Sequence, residues 1–76
     1  MTEEEIKEWK QKYNGFLIRH CKAIAVLDDL GVAQSKREIW IPNYQKILKE
    51  LDYIVSLFDT DGIKYTTDEI LGGFEI

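Results

Sequence analysis

The chain has one histidine and one cysteine, and they are adjacent, as His20-Cys21. A thiol beside an imidazole is the raw material for a nucleophile and its general base. Neighbouring positions on a helix do not face each other, however, so the pair cannot share a proton there. A buried small thiol beside a packed or interface histidine is the expectation. A single cysteine excludes an internal disulfide, and one Cys plus one His fall short of the four ligands of a structural zinc site. Carboxylates are plentiful, with adjacent runs at Glu3-Glu4-Glu5 and Asp28-Asp29. Acid–base catalysis needs a carboxyl in a dry cleft that raises its pKa, and a small helical protein has little room for one. The first run suits the positive end of a helix; the second sits near a negative end, facing water or a cationic partner. No glycine-rich phosphate loop or dinucleotide fingerprint is present. These residues assemble no catalytic apparatus, so the chain is read as a non-enzyme without cofactor or metal.

One further stretch has ligand chemistry. Asp59-Thr60-Asp61-Gly62-Ile63-Lys64-Tyr65-Thr66-Thr67-Asp68-Glu69, with Phe58 before it and Ile70-Leu71 after, places oxygens at alternate positions and closes on a glutamate. Over about fourteen residues it resembles an EF-hand calcium loop, which uses such oxygens, a turn glycine and a bidentate Glu. The resemblance implies a calcium-responsive protein, and this is the alternative function. The match is incomplete. From Asp59 to Glu69 there are eleven residues instead of twelve, Lys64 stands at the glycine position, and Ile63 replaces an oxygen ligand. No second hand exists to pair with it. The competing reading is a helix end, a turn and a capped helix start.

The elements that position these residues are helical. Thr2-x-x-Glu5 is a capping box, with Met1 and Ile6 at the positions of a hydrophobic staple. Ile6, Trp9, Tyr13, Phe16, His20, Ala23, Leu27 and Leu30 recur at spacings of three and four, which draws one stripe along a helix. The spacing predicts a long helix over about 3–30, ended by Gly31 as a left-handed cap. Asn14-Gly15 is a turn dipeptide inside it, but the stripe keeps its phase across the pair, which favours one continuous helix. Residues 31–41 read as a connection, in which Ser35-x-x-Glu38 could cap a short turn. Pro42 suits an early helical position. Tyr44, Ile47, Leu48, Leu51, Ile54, Val55 and Phe58 then mark a helix over about 42–59. Thr66-x-x-Glu69 starts a third, short helix over about 67–71, stopped by Gly72-Gly73. The fold class is all-α, a single domain built as an antiparallel helical hairpin with a short C-terminal helix.

Seventy-six residues make one domain with a thin core, and nearly half of them are hydrophobic. No segment has the apolar length of a membrane span. An acidic N-terminus and a free thiol point to a reducing cytoplasm. The net charge of −4 is uneven: residues 51–76 hold six acids against one base, and residues 31–50 two acids against four bases. Linear inspection shows no basic stripe, which disfavours nucleic acid.

Unequal helices of about 40 and 25 Å would leave Ile6, Trp9 and Tyr13 overhanging, with Ile70, Leu71 and Phe74 able to fold back over them. Tyr53 and Leu57 beside the main stripe of the second helix, and the run Ala23-Ile24-Ala25-Val26-Leu27, give more apolar surface than a hairpin seam covers. Trp40, flanked by isoleucines in the connection, is either a plug for the end of the bundle or a binding anchor. The expected function is therefore a non-catalytic protein-interaction module or regulator, working as a homodimer in a four-helix arrangement. Its partner or dimer interface is expected at Trp9, Tyr13, Trp40, Tyr53 and Leu57. The acidic C-terminal third predicts a basic protein partner, such as a nucleic-acid enzyme with a basic groove. Small stand-alone inhibitors from phages and mobile elements are similar in size and charge.

Overall fold

The hairpin is built from two helices of nearly equal length. The structure, a computed structural model, describes residues 1–76. Helix α1 runs Glu3–Asp28, α2 Gln34–Thr60 and α3 Thr67–Gly72, with no strand. The molecule is a rod of 45 × 19 × 18 Å. No helix is long and apolar enough to cross a membrane.

Helix α1 starts as its sequence dictates. The Thr2 hydroxyl accepts from the Glu5 N–H at 3.2 Å, and the Glu5 carboxylate accepts from the Thr2 N–H at 3.3 Å. The helix passes through Asn14-Gly15 without a break. It stops at Asp28, two residues short of the expected end, and Gly31 is not its left-handed cap. Asp29 ends it by an Asx turn: extended backbone, with its carboxylate accepting from the Gly31 N–H at 2.8 Å. The Arg37 guanidinium donates to the Asp29 carbonyl at 2.7 Å and holds the turn against α2. Leu30, expected to close the stripe, is instead left almost fully in water.

The largest departure from expectation is the start of α2. It begins at Gln34, eight residues before Pro42, and absorbs what was read as a connection. Ser35 forms no capping box; Ala33 occupies the N-cap with no side-chain bond. Trp40, Tyr44, Ile47, Leu51, Ile54 and Phe58 keep spacings of four and three through the proline. Burial of that stripe against α1 outweighs the hydrogen bond and steric fit that an internal proline forfeits. Pro42→Ala is therefore expected to raise stability by about 1–2 kcal/mol, less than the full peptide-scale penalty of about 3 because the surroundings are adapted to the ring. Denaturant unfolding reads this; an unchanged or lower midpoint would mean that the helix gains nothing from the missing N–H.

With α2 extended, no overhang exists. The two ends of the rod are aligned, and the Met1 amino group lies 3.7 Å from the Asp61 carboxylate, the chain's only ion pair. The core is Tyr13, Ile47, Leu51, Ile54, Phe58 and Phe74. Its last member comes from the C-terminal segment, which folds back along one side of the α1–α2 seam as expected. Phe74 and Ile70 dock there, whereas Leu71 points to solvent at 75% exposure. The Tyr13 hydroxyl donates to the Ile70 carbonyl at 2.7 Å, and the Asn14 amide pairs with the backbone of Phe74 in both directions, each bond 2.7 Å. Burial, and secondarily the charge of Asp52, raises the Tyr13 phenol above its ordinary pKa.

Candidate interaction groove

The two sides of the α1–α2 seam differ. One is covered around Tyr13 by the C-terminal segment, which leaves a hollow of about 450 Å³ among Leu17, His20, Leu48 and Val55; the other is open along most of its length. From α1 the open side receives Trp9, Lys12, Phe16, Arg19 and Lys22, and from α2 it receives Trp40, Asn43, Lys46, Glu50 and Tyr53. They form two adjoining hollows of about 540 and 400 Å³ that share Phe16, Arg19 and Glu50. From Trp9 to Lys22 the groove follows thirteen helical steps, about 20 Å.

Aromatic rings line the groove. Trp9 meets Tyr53 edge-on, with centroids 6.1 Å apart, so the two helices are bridged across the seam. Cations frame the rings. Lys12 Nζ lies 4.5 Å from the Trp9 ring centroid, and the Arg19 guanidinium carbon lies 5.6 Å from that of Phe16. Such cation–π contacts hold each charge over a ring without neutralising it. Lys12, Arg19, Lys22 and Lys46 have no anionic partner, although the chain contains fourteen acids. The acids are elsewhere, many of them in the C-terminal segment, and Glu50 is the only one lining the groove.

Among the expected interface residues, Trp9 and Tyr53 meet in one hollow and Trp40 lines the adjoining one. Tyr53 is 54% exposed, while Trp9 and Trp40 are half-buried. Trp40 sits on a helix, not in a connection, and acts as neither loop anchor nor end plug. Leu57 lies one turn beyond Tyr53 and is half-buried by its own chain. Tyr13 does not belong to the surface at all. Its ring is 2% exposed, packed edge-on to Phe74, and it faces the closed side. Within Ala23–Leu27, Ala23 is fully buried, Val26 and Leu27 are half-buried, and Ile24 and Ala25 remain exposed.

The basic residues of the groove are dispersed along the chain and form no run in the sequence. Lys12, Phe16, Arg19 and Lys22 are spaced by four, three and three, which sets them along one flank of α1 beside its core stripe. Charge counted by segment hides this, because the acids and bases of α1 cancel over its whole length. The expectation of an acidic surface around Trp40 and Tyr53 is corrected: the surroundings are basic.

The other chemical candidates disperse. Cys21 is exposed, not buried. His20 stacks on Tyr44 at 5.2 Å, and its Nε2 is buried without a hydrogen-bond partner. The EF-hand-like segment is a helix stop followed by a helix start. The Ile63 N–H bonds to the Phe58 carbonyl at 2.8 Å and the Gly62 N–H to that of Asp59 at 3.3 Å, with Gly62 at φ +70. This is a Schellman motif, and its left-handed residue is the reason for the glycine. Glu69, expected to close a calcium loop, bonds the Thr66 N–H at 3.0 Å as half of a capping box. Asp59 accepts from the Tyr65 hydroxyl at 2.6 Å, which raises the phenol's pKa above its usual value. Nowhere do three His, Cys, Asp or Glu side chains converge as metal ligands. No protein-family model matches the chain, no curated protein matches it, and no solved structure matches it.

Proposed function

We propose that the chain is a non-catalytic protein-interaction module that regulates a larger protein by binding it through the open side of the hairpin. The supporting observation is the combination of an uncovered aromatic groove with four cations that have no anion of their own. Isolated surface cations are commonplace, but here two of the four, Lys12 and Arg19, lie over rings that a single copy leaves partly wet. Apolar surface of this kind, rimmed by polar groups, marks binding sites. Aromatic residues and arginine are the side chains that most often anchor such contacts.

The charge sign asks for an acidic partner. A second copy is the other occupant of this side and would give the four-helix arrangement expected of a homodimer. Its groove would present the same cations to their equivalents, so the charge pattern favours a different protein over self-association. Capture of partners from native cells on the immobilised protein tests the reading, with Arg19→Glu and Tyr53→Glu as open-side variants and Leu71→Ser as a closed-side control. The expected result is a discrete protein lost with either open-side change and retained by the control. Loss with Leu71→Ser alone, or no loss with any variant, would place the binding surface elsewhere. Sedimentation at tens of micromolar is expected to show the monomer mass; a dimer dispersed by Tyr53→Glu would hand the groove to a second copy.

A further inference from the structure

We infer that the segment captured by the groove is an acidic amphipathic α-helix, about four turns long, which lies between α1 and α2 and completes a three-helix bundle. This deepens the reading above and rests on it. Two antiparallel helices leave a trough on each side of their seam. On one side Phe74 and Ile70 of the chain's own C-terminal segment fill part of the trough, and the hollow left beside them is lined by no lysine or arginine. On the other side the trough is empty over about 20 Å, which corresponds to roughly thirteen residues of helix. A helix laid in such a trough uses an apolar stripe at i, i+3, i+4 and i+7, here meeting Trp9, Phe16, Trp40 and Tyr53.

The charges specify the rest of the ligand. Lys12, Arg19 and Lys22 lie on the α1 side of the trough and Lys46 on the α2 side. Cations on both sides call for acids on both flanks of the incoming stripe, as at the e and g positions beside a coiled-coil seam. Glu50, the single acid in the lining, gives the arrangement a register, because a partner basic residue is favoured opposite it alone. A single-stranded nucleic acid would also use rings and cations. It is the poorer fit, since the net charge is −4 and the cations flank a straight trough instead of following a curved backbone path.

Synthetic peptides test this without knowledge of the natural partner. The probe is a sixteen-residue helix with leucines at the stripe positions and glutamates on both flanks. Comparison probes carry lysines in place of the glutamates, or the same composition scrambled to destroy the stripe; a single-stranded oligonucleotide completes the set. Fluorescence of Trp9 and Trp40 reports binding, and circular dichroism reports helix gained by the peptide. The Glu-flanked helix is expected to bind at least about tenfold more tightly than either comparison peptide, the scale set by a few partly screened charge pairs. Lys12→Glu with Lys46→Glu, both on exposed side chains, is expected to reverse that preference in favour of the Lys-flanked helix while leaving the protein's own helical content unchanged. Equal binding of the scrambled peptide, a preference untouched by the double charge reversal, tighter binding of the oligonucleotide, or no saturable binding by the Glu-flanked helix up to about 1 mM would each overturn the helix inference. A captured protein that depends on Arg19 and Tyr53 would in that case still stand, because the capture experiment makes no assumption about the shape of what binds.

Discussion

Phe74→Ala will lower the stability of the protein by about 3–5 kcal/mol, although the residue is third from the C-terminus. Terminal residues are ordinarily dispensable, since they fray. Phe74 is an exception because of what it touches. Its ring is 5% exposed and meets two core aromatics edge-on, Tyr13 at 5.4 Å and Phe58 at 5.7 Å between centroids. Lys10 Nζ covers another part of the ring, 5.2 Å from its centroid. Only seven side chains in the molecule are buried, so losing one removes a large share of the core. Edge-to-face pairs add roughly 0.5–1.5 kcal/mol each to the burial of area. A domain of this size has total stability near the low end of 5–15 kcal/mol, so the variant should be partly unfolded in the absence of denaturant. Leu71→Ala, three residues earlier but 75% exposed, should change stability by less than about 0.5 kcal/mol. Urea unfolding compares the two. Similar midpoints for both variants would show that the C-terminal segment is not docked in solution.

Much of this arrangement could be read from residue spacing, and its failures share a cause. The capping boxes at Thr2–Glu5 and Thr66–Glu69 are local: four consecutive residues contain both partners, so little that is distant bears on them. The continuity of α1 across Asn14-Gly15 follows from a stripe whose phase a turn would have broken. Pro42 misled because its preference is also local, and it lost to a nonlocal effect. Trp40 extends the buried stripe of α2 one turn upstream, and that stripe finds its complement only on another helix. The position of Trp40 four residues before Tyr44 was the available signal.

The groove was harder to read for a different reason. Its cations lie in a helix whose acids and bases cancel, and they become a cluster only when 3.6 residues per turn gather one flank and α2 supplies Lys46 across the seam. Tyr13 shows the reverse error. Its place on the α1 stripe makes it a surface candidate only beside a short α2; a full-length α2 and the returning C-terminal segment bury it. Sequence spacing locates a side chain around its own helix, but which flank remains open depends on where the last fourteen residues go.

Beside the burial of Phe74, those residues are held in place by one polar side chain, and Asn14→Ala is expected to cost about 2–3 kcal/mol. The Asn14 amide donates from Nδ2 to the Phe74 carbonyl and accepts at Oδ1 from the Phe74 N–H, both at 2.7 Å. A primary amide offers one donor and one acceptor side by side, which matches the backbone of an extended residue on both counts. Each hydrogen bond is worth about 0.5–1.5 kcal/mol net, and removing the amide also strands two part-buried backbone groups, which adds to the loss. The close approach requires Gly73. That residue has φ +98, and a Cβ there would fall 2.9 Å from Asn14 Oδ1. Gly73→Ala should therefore break the same bridge from the other side, with backbone strain in addition. Because both changes act on one contact, their costs should not add: with Asn14 already truncated, the colliding oxygen is gone and only the strain at residue 73 remains to be felt. A double-mutant cycle measures this, with exchange of the Phe74 amide proton as a second readout, slow in the native chain and fast in either variant. Strict additivity, or a Phe74 amide that exchanges freely before any substitution, would mean that the bridge does not hold the C-terminus and that the closed side of the hairpin is as open as the other.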